Sequence, residues 1–522
     1  MSAVGRKFVA LLAAGTAILA NLGCSAPTYD KVQVSLPTSS DGGQGQLATG
    51  ANAEADRSIP KNLRRYYRQA IDWSTCDGSF ECGSITVPLD WADPGTAQVS
   101  IALKKLPAAR KAQGSLLINP GGPGESGTEF VTHVKRIFGQ DTLNAYDVIG
   151  FDPRGTGLSS GIRCYSDERW DARLAQSFPF TASGMDEARA SSRMFAQACK
   201  AAVGDLLAHV DTQSVARDMD AIRSALGEKK LNYLGYSYGS LLGSTYAALF
   251  PGRAGRMVLD SAIDPRVDPA QMEIDQAAGF EAALKSYVAY CLEQSGCPLS
   301  GSVDDGLAQI ATLLDDVSQS PLTGADDRQL TQSRALVGII YPLYSRSLWP
   351  VLTSALGEAI RDRNGSQLLA NSDSYESRNE DGSFDGTAGQ AFVAISCLEP
   401  QTTLTLARGT EIADSIMRAA PTLGDAWVQR VWDCYDWPYS PIERDYDVSA
   451  RGTGPIVVIG STGDPATPYS WAQGLSEVLD GGILVTYEGE GHGAYGMSND
   501  CVLGVVDDYL VSGTVPKDGT TC

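Results

Sequence analysis

The sequence predicts an α/β protein, a mostly parallel sheet flanked by helices with a helical insertion late in the chain. Three observations carry that. Short apolar runs ending in Gly- or Pro-rich loops recur at Gly114–Gly124, Tyr146–Ser160, Leu231–Gly239, Arg256–Asp264, Pro455–Pro468 and Gly482–Gly496. Amphipathic helical patterns stand between them, as in Ser214–Gly227, where Val215, Met219, Ile222 and Leu226 share one face and Gly227 ends the helix. From Pro265 to about residue 450 the alternation gives way to mostly helical patterns, which reads as an inserted cap.

Taken in order, the chain opens with Arg6 and Lys7 before an apolar run, Phe8–Ala20. That run is too short to span a bilayer and suits a signal peptide over residues 1–23. Asn21-Leu22-Gly23-Cys24 resembles a bacterial lipobox, with Asn21 standing where an aliphatic residue is usual. Residues 24–58 are rich in Ser, Gly, Thr, Ala and Pro without hydrophobic period, so a flexible tether is expected there. A short helical piece is expected after Ile59, then two strands, Ser84–Trp91 and Val99–Leu106. The sheet core is expected in 59–264 and 451–522, and the cap in 265–450. Residues 161–211 read as an excursion bracketed by Cys164 and Cys199, and Asn364–Gly389 as a Gly/Ser/Asp-rich stretch within the cap. Helices are expected at Tyr469–Leu479 and Val502–Gly513.

With 20% charged and 43% hydrophobic residues the composition is ordinary for a globular chain of 522 residues. A net charge of −21 argues against nucleic acid and against anionic membrane surfaces as partners. Of eleven cysteines, ten remain when Cys24 is set aside, an even number suited to five disulfides in an oxidising compartment. Their spacing favours sequential pairs: Cys76 with Cys82, Cys164 with Cys199, Cys291 with Cys297, Cys397 with Cys434, Cys501 with Cys522. Spacing alone leaves the connectivity open. No Cys-x-x-Cys or clustered histidine points to a metal, and no cofactor is expected.

The chemistry centres on Leu231–Phe250, a strand, an abrupt turn and a helix with Gly235-Tyr236-Ser237-Tyr238-Gly239 at the turn. A serine forced into such a turn projects its hydroxyl off the sheet, and residues two before and two after it must be small. A serine hydroxyl needs a base, and the chain has only His133, His209 and His492. His492 alone follows a sheet strand, in Gly489-Glu490-Gly491-His492-Gly493. The orienting acid is then expected at the end of the preceding strand, at Asp464, with Asp260 and Asp264 as competitors and Thr467 alongside. Developing negative charge is expected to rest on the backbone N–H of Tyr238 and on that of Gly121 or Gly122, in the loop Asn119–Gly124. Arg154 is expected to brace loops.

The runs TVPLDWADP, INPGGPGESG, GFDPRGTGLS, SVARDMDAIRSALG, LNYLGYSYGSLLGSTYAALFPGRAGRMVLDSAIDP, GSTGDPATP and GEGHGAY resemble, in order, the secreted tripeptidyl aminopeptidases of actinobacteria. Those are prolyl-iminopeptidase-like α/β-hydrolases, and mycobacterial cell-envelope serine proteases are similar. The resemblance implies an α/β-hydrolase fold with a helical cap and a characteristic terminal segment from about residue 420. It implies Ser237, Asp464 and His492 as triad, and release of short peptides from free N-termini. Substrate is then a peptide with an α-ammonium, which calls for a carboxylate from the cap, with Glu399 the candidate. It also implies export, with membrane contact only through a lipid on Cys24. Two rival readings stand beside it: a carboxylesterase or lipase acting on cell-envelope esters, and an inactive hydrolase-fold lipoprotein that binds peptides.

Overall fold

The structure, a computed structural model, describes residues 59–400 and 404–522. The signal peptide expected at 1–23, the lipidation site at Cys24 and the tether at 24–58 lie outside those residues. Ten strands form one sheet: β1 (Ser74–Cys76), β2 (Phe80–Pro88), β3 (Gln98–Leu106), β4 (Gly114–Asn119), β5 (Tyr146–Phe151), β6 (Leu231–Tyr236), β7 (Ala254–Asp260), β8 (Ile456–Gly463), β9 (Gly482–Glu490) and β10 (Thr520–Thr521). Their spatial order is β1-β2-β3-β5-β4-β6-β7-β8-β9-β10. The pairs β1/β2, β2/β3 and β3/β5 are antiparallel, and every later pairing is parallel.

The central strands read as unbroken apolar runs because both of their faces are covered. Along β8, Ile456 and Val458 join the core beneath one face, while Val457 and Ile459 join the core of the other. The first core receives Val215, Met219 and Ile222 of α1 (Thr212–Ala225) and Leu242 and Tyr246 of α2 (Tyr238–Leu249). The second receives Val502, Val506 and Leu510 of the last helix, Asp500–Ser512. Period-two alternation thus decides which layer each side chain joins.

Between β7 and β8 the chain leaves the sheet and forms helices with a hydrophobic cluster of their own, including Phe280, Leu284, Leu356 and Trp427. Two cap helices matter for the site, α3 (Ser366–Glu376) and α4 (Ala388–Ser396). The latter sits at the seam, since Ala391, Ala394 and Ile395 pack into the core of the sheet and not into that of the cap. Among the described residues no helix is long and apolar enough to cross a membrane.

The structure departs from the expectation in particular places. The helical piece after Ile59 is one turn, Arg64–Tyr67. Strand β2 lies a few residues earlier than Ser84–Trp91, and β7 stops at Asp260 because Ser261 adopts φ +49°. The excursion 161–211 is largely helical, with Asp167–Leu174 and Ala182–Val203 joined by Cys164–Cys199. All five disulfides pair sequentially.

Candidate active site

Register brings the site together. Asn119 lies opposite Gly235, Tyr236 opposite Asp260, and Asp260 opposite Ile459, so β4, β6, β7 and β8 end side by side. Gly463 pairs with Glu490, which sets Asp464 beside the loop that carries His492.

Ser237 occupies the turn between β6 and α2 with φ 55° and ψ −123°. An L-residue held there costs about 1–3 kcal/mol and persists only when its surroundings enforce it. Here they do. The Ser237 N–H donates to Asp260 O at 2.9 Å. A Cβ on Gly235 would lie 2.4 Å from Gly239 O, and one on Gly239 would lie 2.9 Å from Asn119 O. The Gly-x-Ser-x-Gly spacing is therefore a packing requirement on both sides. Ser237 is half-buried, and its hydroxyl holds no hydrogen bond among the described residues.

His492 Nδ1 lies 2.9 and 3.0 Å from the two carboxylate oxygens of Asp464. The same carboxylate accepts from Ser261 Oγ (2.8 Å), Thr467 N (2.9 Å), Thr467 Oγ1 (2.9 Å) and Ala466 N (3.0 Å). So many donors fix its orientation and keep it an acceptor toward the imidazole. Burial opposes protonation of His492, but the charge of Asp464, its hydrogen bond, and then Asp260 outweigh it, so the imidazole lies above its ordinary value. Asp260 belongs to the support beneath the loop. It accepts from Ala494 N (3.1 Å) and Tyr495 N (2.7 Å), and burial raises its carboxyl to about 6. Asp264 is taken by Arg266 at 2.7 Å. His133 meets Glu129 at 3.7 Å on a different element, and His209 gives its carbonyl to Arg154. Arg154 is fully buried, bonded to Asp218 (2.6 Å) and to the carbonyls of Pro88 and Leu89, so it braces loops.

The Asn119–Gly124 loop arches over the serine. A Cβ on Gly121 would come within 2.6 Å of Tyr236 O and 2.9 Å of Ser237 Cβ, so only glycine fits. The Gly121 N–H already donates to Asn119 Oδ1 at 2.9 Å. Among the described residues the Gly122 N–H has no acceptor, and Tyr238 N–H opens α2, where the first amides lack partners within the helix. Glu399 follows the end of α4, and its carboxylate is already engaged. Its carboxylate accepts from Thr212 N (3.1 Å) and from the Thr212 hydroxyl, which meets Tyr238 Oη at 2.7 Å. Burial raises the Glu399 carboxyl to about 7.

Three further groups were not singled out by the sequence, two from the cap and one from the core. Tyr344 meets the His492 ring edge-on, with centroids 5.5 Å apart. Glu125 follows the glycine loop, which abuts α4: a Cβ on Gly124 would lie 2.7 Å from Ala388 O. Glu376, the last residue of α3, reaches the same helix start, 3.3 Å from where a Cβ on Gly389 would stand. Among the described residues neither carboxylate makes a hydrogen bond or ion pair. Surrounding protein strips water from the Glu125 carboxyl and raises it, although the residue is exposed to solvent in part. Burial, opposed by Arg334 and Arg430 and reinforced by Glu125, carries Glu376 to about 7. Glu125 had a visible signal, a charge inside a glycine loop. Tyr344 and Glu376 had none.

Comparison with known proteins fits this geometry. Residues 114–303 match the alpha/beta hydrolase fold, and residues 420–522 match the family described as TAP-like protein. Serine protease Hip1 of Mycobacterium tuberculosis is 37% identical over 480 residues, 87% of this chain and 91% of that protein. The chain belongs to the tripeptidyl-aminopeptidase-like α/β-hydrolases. It is a serine hydrolase of that family. Tripeptidyl aminopeptidase of Streptomyces lividans is 30% identical over 88% of this chain and 87% of its own length. Carboxylesterase B of Mycobacterium tuberculosis is 34% identical over 84% and 86%.

Proposed function

We propose that this chain is a serine exopeptidase that releases short peptides, tripeptides foremost, from free N-termini. The observation that carries the exopeptidase reading is the pair of carboxylates without hydrogen-bond or ion-pair partners among the described residues, Glu125 and Glu376, where the glycine loop that passes Ser237 meets the start of α4. A substrate α-ammonium supplies the charge they lack, and a carboxylate pair binds it with charge-assisted hydrogen bonds. Three extended residues span about 10 Å, so release of tripeptides requires the amine site and the serine to stand about that far apart. Glu399, engaged by Thr212, is replaced in that role.

In the proposed reaction Ser237 Oγ attacks the peptide carbonyl while His492 Nε2 takes its proton and Asp464 holds the imidazole tautomer. The oxyanion rests on the N–H groups of Tyr238 and Gly122. His492 then protonates the leaving amine, the N-terminal fragment stays as an ester on Ser237, and water repeats the sequence to free it. Export accords with five disulfides, and mass spectrometry of the mature N-terminus tests both cleavage after residue 23 and a lipid on Cys24.

A substrate panel tests the activity. Tripeptide arylamides with free N-termini are expected to be cleaved faster than their N-acetyl counterparts and faster than short acyl esters. Faster turnover of blocked peptides sinks the exopeptidase reading, and faster turnover of esters favours the carboxylesterase alternative. Digestion of a long peptide with a free amine is expected to release three residues per turnover.

A further inference from the structure

The loop that carries His492 is clamped from two sides. From the sheet, Ser261 Oγ accepts the Gly493 N–H at 2.7 Å, and Asp260 takes the amides that follow. From the cap, the carbonyl of Tyr344 accepts the His492 N–H at 2.9 Å. Gly491 pairs with Ser345 in an isolated antiparallel bridge, and a Cβ on Gly491 would stand 2.9 Å from Tyr344 O. The Tyr344 ring then closes on the imidazole at 88°, backed by Phe280 at 5.5 Å and by Tyr375 at 5.9 Å.

Asp464 fixes the imidazole through Nδ1 alone, which leaves the ring free to tilt about that bond and to shift with its loop. Gly491 and Gly493, at φ +117° and +88°, give the loop little stiffness of its own. The sheet holds the loop backbone on either side of the histidine, through Gly463 O and Ser261 Oγ, and the turn Tyr341–Tyr344 adds the contacts to the His492 amide and to its ring.

We propose that Tyr344 is a positioning residue through which the docked cap aims His492 at Ser237, so that the cap is part of the catalytic machinery and more than a roof over it. This rests on the reading of Ser237, Asp464 and His492 as the hydrolytic group. A base misplaced by about 1 Å costs on the order of 10²-fold in rate.

The test compares Tyr344→Phe, Tyr344→Leu and Gly491→Ala in the full chain. Steady-state kinetics on a free-amine tripeptide arylamide, the rate of fluorophosphonate labelling of Ser237, and imidazole NMR are read together. With only three histidines in the chain, the ring signals separate cleanly. Tyr344→Phe keeps ring and backbone and is expected to retain kcat within about 2-fold, while Tyr344→Leu loses roughly 10- to 10²-fold in kcat with KM nearly unchanged. Labelling is expected to slow in parallel, and the Nδ1–H resonance of His492 to broaden. Gly491→Ala, whose Cβ would meet Tyr344 O and push the loop off the cap while leaving the Tyr344 side chain in place, is expected to do the same. A loss confined to KM in Tyr344→Leu, with labelling and imidazole resonances as in the parent, makes Tyr344 a mere wall of the site and overturns the proposal. A parent protein that neither labels nor turns over defeats the hydrolase reading instead. The NMR comparison still reports whether the cap steadies the imidazole.

Discussion

The two halves of the cleft are anchored in different ways. Ser237, Asp464 and His492 hang from the ends of β6, β8 and β9, whose relative position is set through β7 by continuous backbone ladders. Tyr344, Tyr375 and Glu376 hang from a 3-10 turn and from the end of a helix, and the cap is laced to the core by side-chain pairs such as Arg334–Asp171 and Arg378–Asp171, each 2.7 Å. Ladders resist displacement cooperatively, whereas each side-chain pair holds only the groups that form it. The division predicts that core lesions abolish chemistry and cap lesions alter selectivity, with Tyr344 the place where the two meet.

The largest expected effect is at the nucleophile. Ser237→Ala is expected to lower kcat by about 10⁶-fold and to abolish fluorophosphonate labelling without a change in substrate binding. A residual rate within about tenfold of the parent ends the assignment of Ser237. Asp464→Asn should cost about 10⁴-fold by leaving the wrong tautomer. It should also drop the His492 pKa, because burial, which disfavours imidazolium, then faces only Asp260. Imidazole NMR reads that drop directly. In the parent, activity requires neutral His492, whose value is raised, so the acid limb of kcat/KM is expected above 6.5, with the rate falling as pH falls through it. Gly121→Ala comes next. Its Cβ would strike Tyr236 O and Ser237 Cβ, so a loss on the order of 10²–10³ in kcat is expected from a displaced oxyanion loop.

The same contrast explains what could be read in advance. The core half was legible because its chemistry draws on scarce or sterically forced residues: three histidines in all, and glycines at positions where any Cβ collides. Apolar runs told of strands buried on both faces. Strands β1 and β10, of three and two residues, are too short to alternate; β1 ends on Cys76 of the Cys76–Cys82 bridge, and β10 lies just before Cys522 of Cys501–Cys522. Helix α3 was hidden by its Ser, Asn and Asp content. It forms because Asn364 Oδ1 accepts from Ser366 N at 2.9 Å and Glu358 Oε1 from Gln367 N at 3.0 Å, while Leu368 and Leu369 pack into the cap. Tertiary contacts there override weak propensity. Glu376 could not be singled out, since a glutamate at the end of an unrecognised helix resembles any solvated acid.

The smallest effect sharpens the comparison most. Glu376→Gln keeps the shape of the amine pocket and removes its charge, so it should raise KM for free-amine peptides by roughly 10- to 10²-fold, the weight of one or two hydrogen bonds to a charged group. N-acetyl peptides should be untouched. Because the Glu376 carboxyl is raised to about 7, it is charged above that pH and neutral below it. A peptide α-amine, with a pKa of about 7.7–8.0, is mostly protonated below pH 7. The preference for free over blocked substrates should therefore weaken as pH falls through 7, and His492, which both substrates share, cancels from the ratio. In Glu376→Gln the ratio should be low and flat with pH. A ratio that still varies in that variant moves the amine site to Glu125 alone. A ratio unchanged in both Glu376→Gln and Glu125→Gln places amine recognition outside this pair, and the selectivity of the cap would then have to rest on shape.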